Sequence, residues 1–227
     1  MLPTSAKRIA CGLALIVVST VSWALAPQIG APAPEFLASA VYSSTGLRIG
    51  TLKASDFQTL KLSDFRGKIV VLEWTSHLCP FVRKHYESGN IPRLQGLATG
   101  AGAIWLQVLS SAPGEPGYTD GMTAVLLNAY RNAAPSGILL DPEGKLGKLY
   151  GAKTTPHIFI IDAQGTLVYK GGIDNIDSTD KADIAKAENY VSEALAAIAA
   201  GKKIEHPITK PYGCSVKYAD WRAHQSE

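Results

Sequence analysis

The stretch Val70-Val71-Leu72-Glu73-Trp74-Thr75-Ser76-His77-Leu78-Cys79-Pro80-Phe81-Val82-Arg83-Lys84-His85-Tyr86 constrains the fold most. An apolar strand runs through a short loop into a Cys-Pro step that opens a helix carrying basic residues. Pro80 suits the first helical position, where a missing N–H costs nothing. A cysteine just before it faces unpaired backbone N–H groups and the positive end of the helix macrodipole, both of which favour thiolate over thiol. Arg83 lies four residues on, so it is expected to project from the same helical face and to stabilise a thiolate or orient an oxyanion. The chemistry this pattern points to is redox or nucleophilic.

The compartment bears on that chemistry. Residues 1–24 read as a secretory signal, with Lys7 and Arg8 as the positive end and Ile9 to Val21 as an apolar stretch too short to span a bilayer. Ser22-Trp23-Ala24 supplies small residues at the two positions that cleavage needs. The expected location is periplasmic or secreted, with membrane contact only through an uncleaved signal. Of the 3 cysteines, Cys11 leaves with the signal. Cys79 and Cys214 remain in an oxidising compartment, where an even count suggests pairing. They are read either as a structural disulfide stapling the tail to the core or as a redox pair. Loss of Lys7 and Arg8 lowers the formal charge from +3 to +1, which carries no signature of a nucleic-acid partner.

Along the rest of the chain the pattern is that of one α/β domain. Residues 25–60 form a proline-rich lead-in and a hairpin, with strands expected around Ala40 to Tyr42 and Leu47 to Leu52. Residues 61–203 form the main domain. It begins with a turn over Leu62 to Lys68 and the strand Ile69 to Trp74. A helix follows from Pro80 to about Leu97, interrupted near Gly89 and Pro92. A strand over Ala103 to Leu109, a helix over Thr119 to Asn132, a short strand over Gly137 to Leu140 and a small helix ending near Gly151 come next. Thr155-Pro156 then precedes a hairpin over His157 to Asp162 and Thr166 to Lys170. Ile184, Ala187, Val191, Ala194, Leu195 and Ile198 recur at helical spacing and predict a helix over Ser178 to Ala200, closed by Gly201. Residues 204–227 form an arm carrying Cys214, extended by His206-Pro207 and Lys210-Pro211.

These motifs together resemble the thioredoxin fold: Ile69 to Tyr86, Thr155-Pro156 before a hairpin, and a closing helix. More narrowly, they resemble peroxiredoxin-like members of the alkyl hydroperoxide reductase/thiol-specific antioxidant family, in an exported subgroup. Phe65-Arg66-Gly67-Lys68 is similar to the Phe-x-Gly-Lys approach to the strand common there. Thr155-Pro156 resembles the cis-proline step that lies beside the active cysteine across the superfamily. Tyr212-Gly213-Cys214-Ser215-Val216-Lys217-Tyr218 resembles the tail of the subgroup. The resemblance implies a central mixed sheet flanked by helices, with the hairpin as an N-terminal extension. Two departures stand out. Val82 occupies the place of the second cysteine of Cys-x-x-Cys, so a local dithiol is excluded. Leu72 stands where peroxiredoxins usually carry a proline, whereas Ser76 satisfies their Thr or Ser three residues before the cysteine.

The resemblance implies an antioxidant enzyme without a cofactor, in which Cys79 reduces a hydroperoxide, Ser76 and Arg83 hold the peroxide oxygens, and Cys214 resolves the product. A thioredoxin-like partner would reduce the disulfide. Thr155, Pro156, Pro80 and Glu73 support the site, with Glu73 either relaying protons or pairing with a base such as Lys170. Two alternatives compete. One is disulfide exchange with partner proteins and no peroxidase activity. The other is a copper chaperone, with His77, Cys79, His157 and Cys214 as soft ligands, although Arg83 replaces the second cysteine of the copper-delivery Cys-x-x-x-Cys. No phosphate-binding loop, nucleophile elbow or paired zinc motif is present.

Overall fold

The central strand owes its place to Val70-Val71-Leu72-Glu73-Trp74, five residues that are all buried and leave neither face of the sheet to solvent. A computed structural model of the protein describes residues 26–42 and 53–220. The predicted signal over residues 1–24 lies outside them. Nine strands and five α-helices are assigned among the described residues: β1 (Leu37–Tyr42), β2 (Phe57–Lys61), β3 (Val70–Trp74), α1 (Pro80–Glu87), α2 (Asn90–Gly100), β4 (Ile104–Leu109), α3 (Gly121–Tyr130), β5 (Gly137–Leu140), α4 (Lys145–Tyr150), β6 (Thr154–Thr155), β7 (His157–Ile161), β8 (Leu167–Gly171), α5 (Tyr190–Ala199) and β9 (Cys214–Ser215). Seven strands form one mixed sheet in the order β2-β1-β5-β4-β3-β7-β8, and β6 pairs with β9 in a separate two-stranded ladder. β3 runs parallel to β4 and antiparallel to β7. No helix among the described residues is long and apolar enough to cross a membrane.

Strand alternation sorts the core into two main layers. Val70, Leu72, Trp74, Leu106, Val108 and Phe159 face one cluster, together with Phe65 and Tyr150. Val71, Trp105, Ile158 and Ile160 face the other, which α1, α2 and α5 cover through Val82, Tyr86, Leu94, Val191 and Ala194. Cys79 belongs to this second layer. The thioredoxin-like architecture anticipated from the motifs is thus present, with the β1–β2 hairpin added beside β5 and β2 at the sheet edge.

Two elements differ from the sequence reading. β1 pairs antiparallel with Phe57–Lys61, a strand the sequence reading did not mark, and the strand expected over residues 47–52 lies outside the described residues. The final helix spans only Tyr190–Ala199, preceded by a 3-10 segment over Lys181–Ala185. Asn189 breaks the run, because its side chain accepts from Ser192 N and caps α5. Ile184 and Ala187 keep helical spacing but reach only half-buried positions. The interruption expected near Gly89 separates α1 from α2, with Gly89 at φ 74° supplying the left-handed link.

Candidate active site

Cys79 is the N-cap of α1, with extended dihedrals of φ −74° and ψ 122°, and Pro80 follows at the helix start. Its N–H donates to Ser76 O at 3.2 Å, closing the loop from β3, and its carbonyl accepts from Arg83 N at 2.9 Å. The side chain is 2% exposed. Its Sγ meets Thr155 O at 3.0 Å, and the Thr155–Pro156 bond is cis. The end of β3, the start of α1 and the turn before β7 therefore converge on one sulfur.

Cys214 arrives at the same place from the far end of the chain. In the β6–β9 ladder it is the direct partner of Thr155, whose Oγ1 also donates to Cys214 O at 3.4 Å. Both cysteines are free thiols, and both line the same cleft. Burial pushes the Cys214 thiol up to about 12; the neighbouring Cys79 adds to the shift, and Lys217 opposes it. Cys214 thus holds its proton at neutral pH. A cleft of about 160 Å³ opens beside the pair, lined by Ser76, Leu78, Ser111, Pro116 and Lys217 among others. Gly117 closes in on Ser76 so tightly that a Cβ there would overlap its Oγ.

The remaining predicted residues divide. Ser76, Thr155 and Cys214 join Cys79 in lining this cleft. Arg83 does not: it is exposed and borders a different groove with Pro80, Glu87, Thr179 and Asp180. The i,i+4 argument fails because Cys79, as N-cap, lacks helical dihedrals and directs its sulfur towards Thr155. Glu73 is fully buried in the layer shared with Cys79, but its partners are Tyr86 Oη at 2.7 Å, Trp105 Nε1 at 2.7 Å and Gln95 Nε2 at 3.4 Å. Burial raises its pKa, which the nearby Arg131 charge and these hydrogen bonds oppose. Lys170, the base considered for it, instead donates to Pro27 O at 2.7 Å.

The copper set is not assembled. Among the described residues, three or more ligand atoms come within 4.8 Å of one another only at Glu188, Glu193 and His206. His157 is held away from metal chemistry, with Nδ1 accepting from Lys153 N at 3.3 Å and the ring on Phe159. His77 is half-buried, its pKa lowered by burial and by Arg131.

Sequence reasoning passed over Ser111 and Lys217, which line the cleft, and the close approach that Gly213 makes. Gly213 adopts φ 122°, and a Cβ would overlap the Thr155 carbonyl oxygen. A glycine next to the second cysteine was the available signal for close backbone approach.

No curated protein sequence matches the chain. Among solved structures it is similar to an uncharacterized conserved protein from Geobacillus kaustophilus, at 22% identity and TM-score 0.64, over 84% of this chain and 92% of that one. It is similar also to a hypothetical protein from Sinorhizobium meliloti, at 20% identity and TM-score 0.61, over 86% and 97% of the two chains. Mycobacterium tuberculosis AhpC matches at 15% identity and TM-score 0.54, over 78% of this chain and 96% of its own. At these identities the likenesses establish the fold. The AhpC/TSA family model matches residues 29–170, more than half of the chain, and includes the strand, loop and helix that present Cys79. The chain belongs to the AhpC/TSA family and is a thioredoxin-fold enzyme of thiol redox chemistry.

Proposed function

We propose that the protein is an exported thiol peroxidase in which Cys79 attacks a hydroperoxide and Cys214 resolves the product. The observation that carries this reading is the convergence of the two cysteines on Thr155, with Cys79 Sγ at its carbonyl oxygen and Cys214 as its ladder partner, beside one cleft. In the first step Cys79 sulfur bonds to the terminal peroxide oxygen, the O–O bond breaks, and the alcohol or water leaves with a proton. Cys79 becomes a sulfenic acid. Ser76, which lines the cleft, is the residue we assign to donate to the peroxide. In the second step Cys214 sulfur attacks Cys79 sulfur, and water departs as the disulfide forms. The raised pKa of Cys214 suits this order, since a protonated Cys214 leaves the peroxide to Cys79 and loses that neighbour's charge once Cys79 is oxidised. A thioredoxin-like donor then reduces the disulfide, and the apolar stretch over residues 9–21 directs the chain to the periplasm or beyond.

The test is peroxide loss with prereduced protein. The wild type consumes hydrogen peroxide, Cys79→Ser does not, and Cys214→Ser stops at a sulfenic acid that a dimedone probe traps. Leu78, 56% exposed immediately before Cys79, favours a second reading in which the pair exchanges disulfides with partner proteins. Persistence of peroxide alongside reduction of a mixed-disulfide substrate would select that reading instead.

A further inference from the structure

Two residues before Cys214, Tyr212 is 5% exposed and tied to the helix that begins at Cys79. Its hydroxyl donates to Asp174 Oδ1 at 2.5 Å. The same oxygen lies 3.0 Å from His85 Nε2 and accepts from Lys84 Nζ at 3.5 Å. A phenol has one proton, and the carboxylate takes it, so His85 must carry its hydrogen on Nε2. That leaves His85 Nδ1 to accept from Asn90 Nδ2 at 2.9 Å, which closes the arrangement without conflict. Lys84, also buried, donates to Ile176 O at 3.2 Å. Phe81 meets the Tyr212 ring edge-on, with centroids 5.9 Å apart. Lys84, His85 and Phe81 all belong to α1.

The next residues continue the attachment. Gly213 rests against the Thr155 carbonyl, and Cys214 pairs with Thr155. Beyond them Val216 N donates to Lys153 O at 3.0 Å, and Lys217 O accepts from Ala112 N at 2.8 Å. The arm thus has a fixed point on α1 immediately before the cysteine and others immediately after it. A thiol tethered on both sides presents a high effective concentration to its partner.

We propose that Tyr212 is a positioning residue: through the buried Lys84–His85–Asp174 cluster it holds Cys214 at Cys79, so that condensation occurs in the native fold and outruns a second oxidation. The proposal rests on the peroxidase reading for its chemistry. Two fates compete for the Cys79 sulfenic acid. Attack by Cys214 sulfur forms the disulfide and releases water. Attack of the sulfenate on a second hydroperoxide breaks its O–O bond, gives a sulfinic acid and releases the alcohol. The first is independent of peroxide concentration and the second proportional to it.

The experiment mixes prereduced wild type, Tyr212→Phe and Tyr150→Phe with rising hydrogen peroxide, quenches with acid, and assigns the state of Cys79 by mass spectrometry. Tyr150 is the control, because its hydroxyl is equally sequestered, on Pro34 O at 2.7 Å, but in the other core layer. The expected result is a peroxide-independent step slowed at least about tenfold in Tyr212→Phe, the scale of one lost charge-assisted hydrogen bond, with sulfinic acid rising in proportion to peroxide. Tyr150→Phe keeps the wild-type partition. A wild-type partition in Tyr212→Phe overturns the proposal. Should Tyr212→Phe fail to fold, Asp174→Asn is judged by the same criterion. If the wild type leaves peroxide untouched, the peroxidase reading fails on its own. The equilibrium of the Cys79–Cys214 disulfide with dithiothreitol then decides on Tyr212. A fall of about tenfold in the variant supports positioning, and an unchanged constant overturns it.

Discussion

Cys214 is the residue whose chemistry depends most on its neighbour. Its thiol is pushed up to about 12 chiefly by burial, with the neighbouring Cys79 adding to the effect. Cys79→Ser removes the part that Cys79 contributes and leaves the burial. We expect Cys214 in that variant to be alkylated a few-fold faster by iodoacetamide at pH 8, because thiolate is the reacting form. An unchanged rate would mean that the two sulfurs do not sense each other. Cys79 was legible from its place before a helix-opening proline, Cys214 from the cysteine count once Cys11 is assigned to the expected signal, and Ser76 from the family resemblance. Arg83 was not correctly placed, since helical spacing applies only to residues with helical dihedrals and Cys79 is a cap. The Tyr212 cluster was invisible for a different reason: its members at positions 84, 85, 174 and 212 meet only through the fold.

At the scale of elements, periodicity located the strands well and the last helix poorly. Residues 178–200 carry a continuous helical apolar spacing, yet α5 starts at Tyr190. Local hydrogen bonding overrides the periodicity there. Asn189 caps α5, and Asp180 separately accepts from Ala182 N at 2.9 Å to start the 3-10 turn. Ser178 Oγ adds a bond to Asp183 Oδ2 at 2.7 Å. Asn189 also donates to Asn90 Oδ1 at 3.1 Å, linking α5 to the start of α2. Asn189→Ala is therefore expected to cost about 1–2 kcal/mol in urea unfolding, at the upper end for a cap because a second bond goes with it. A loss below about 0.3 kcal/mol would mean that the cap does not set the boundary. β2 at Phe57–Lys61 was not anticipated, because only Leu60 of its five residues is buried and no apolar alternation marks it.

For the whole molecule, stability should depend on pH through its buried histidines. His85 and His157 are each held down to about 3, mainly by burial and secondarily by neighbouring lysines. In the unfolded chain both titrate near about 6.5, so between these values the unfolded state binds about two more protons than the fold. Stability is then fully present above about pH 6.5 and falls as pH drops towards 3, with a slope approaching about 2.7 kcal/mol per pH unit. Glu73 acts in the opposite sense, since its raised pKa makes the fold take up a proton at higher pH than the unfolded chain does. Urea midpoints measured at intervals from pH 7 to pH 4 check the net slope, and a flat profile would contradict the burial of the two imidazoles. The fold class was legible because strand alternation, the Cys-Pro step and Thr155-Pro156 agree with one another. The architecture then brings residues 79, 155 and 214 to one point, which spacing alone could not reveal.

The central claim is that Cys79 and Cys214 form one redox unit without rearrangement of the fold. Prereduced protein should be treated with substoichiometric hydrogen peroxide, blocked with alkylating agent, and digested without reduction for mass mapping. The account predicts a Cys79–Cys214 linked peptide in an amount matching the peroxide consumed, and free alkylated cysteines in the untreated sample. Oxidation that leaves Cys214 alkylated, or that links the cysteines only between molecules, would contradict it.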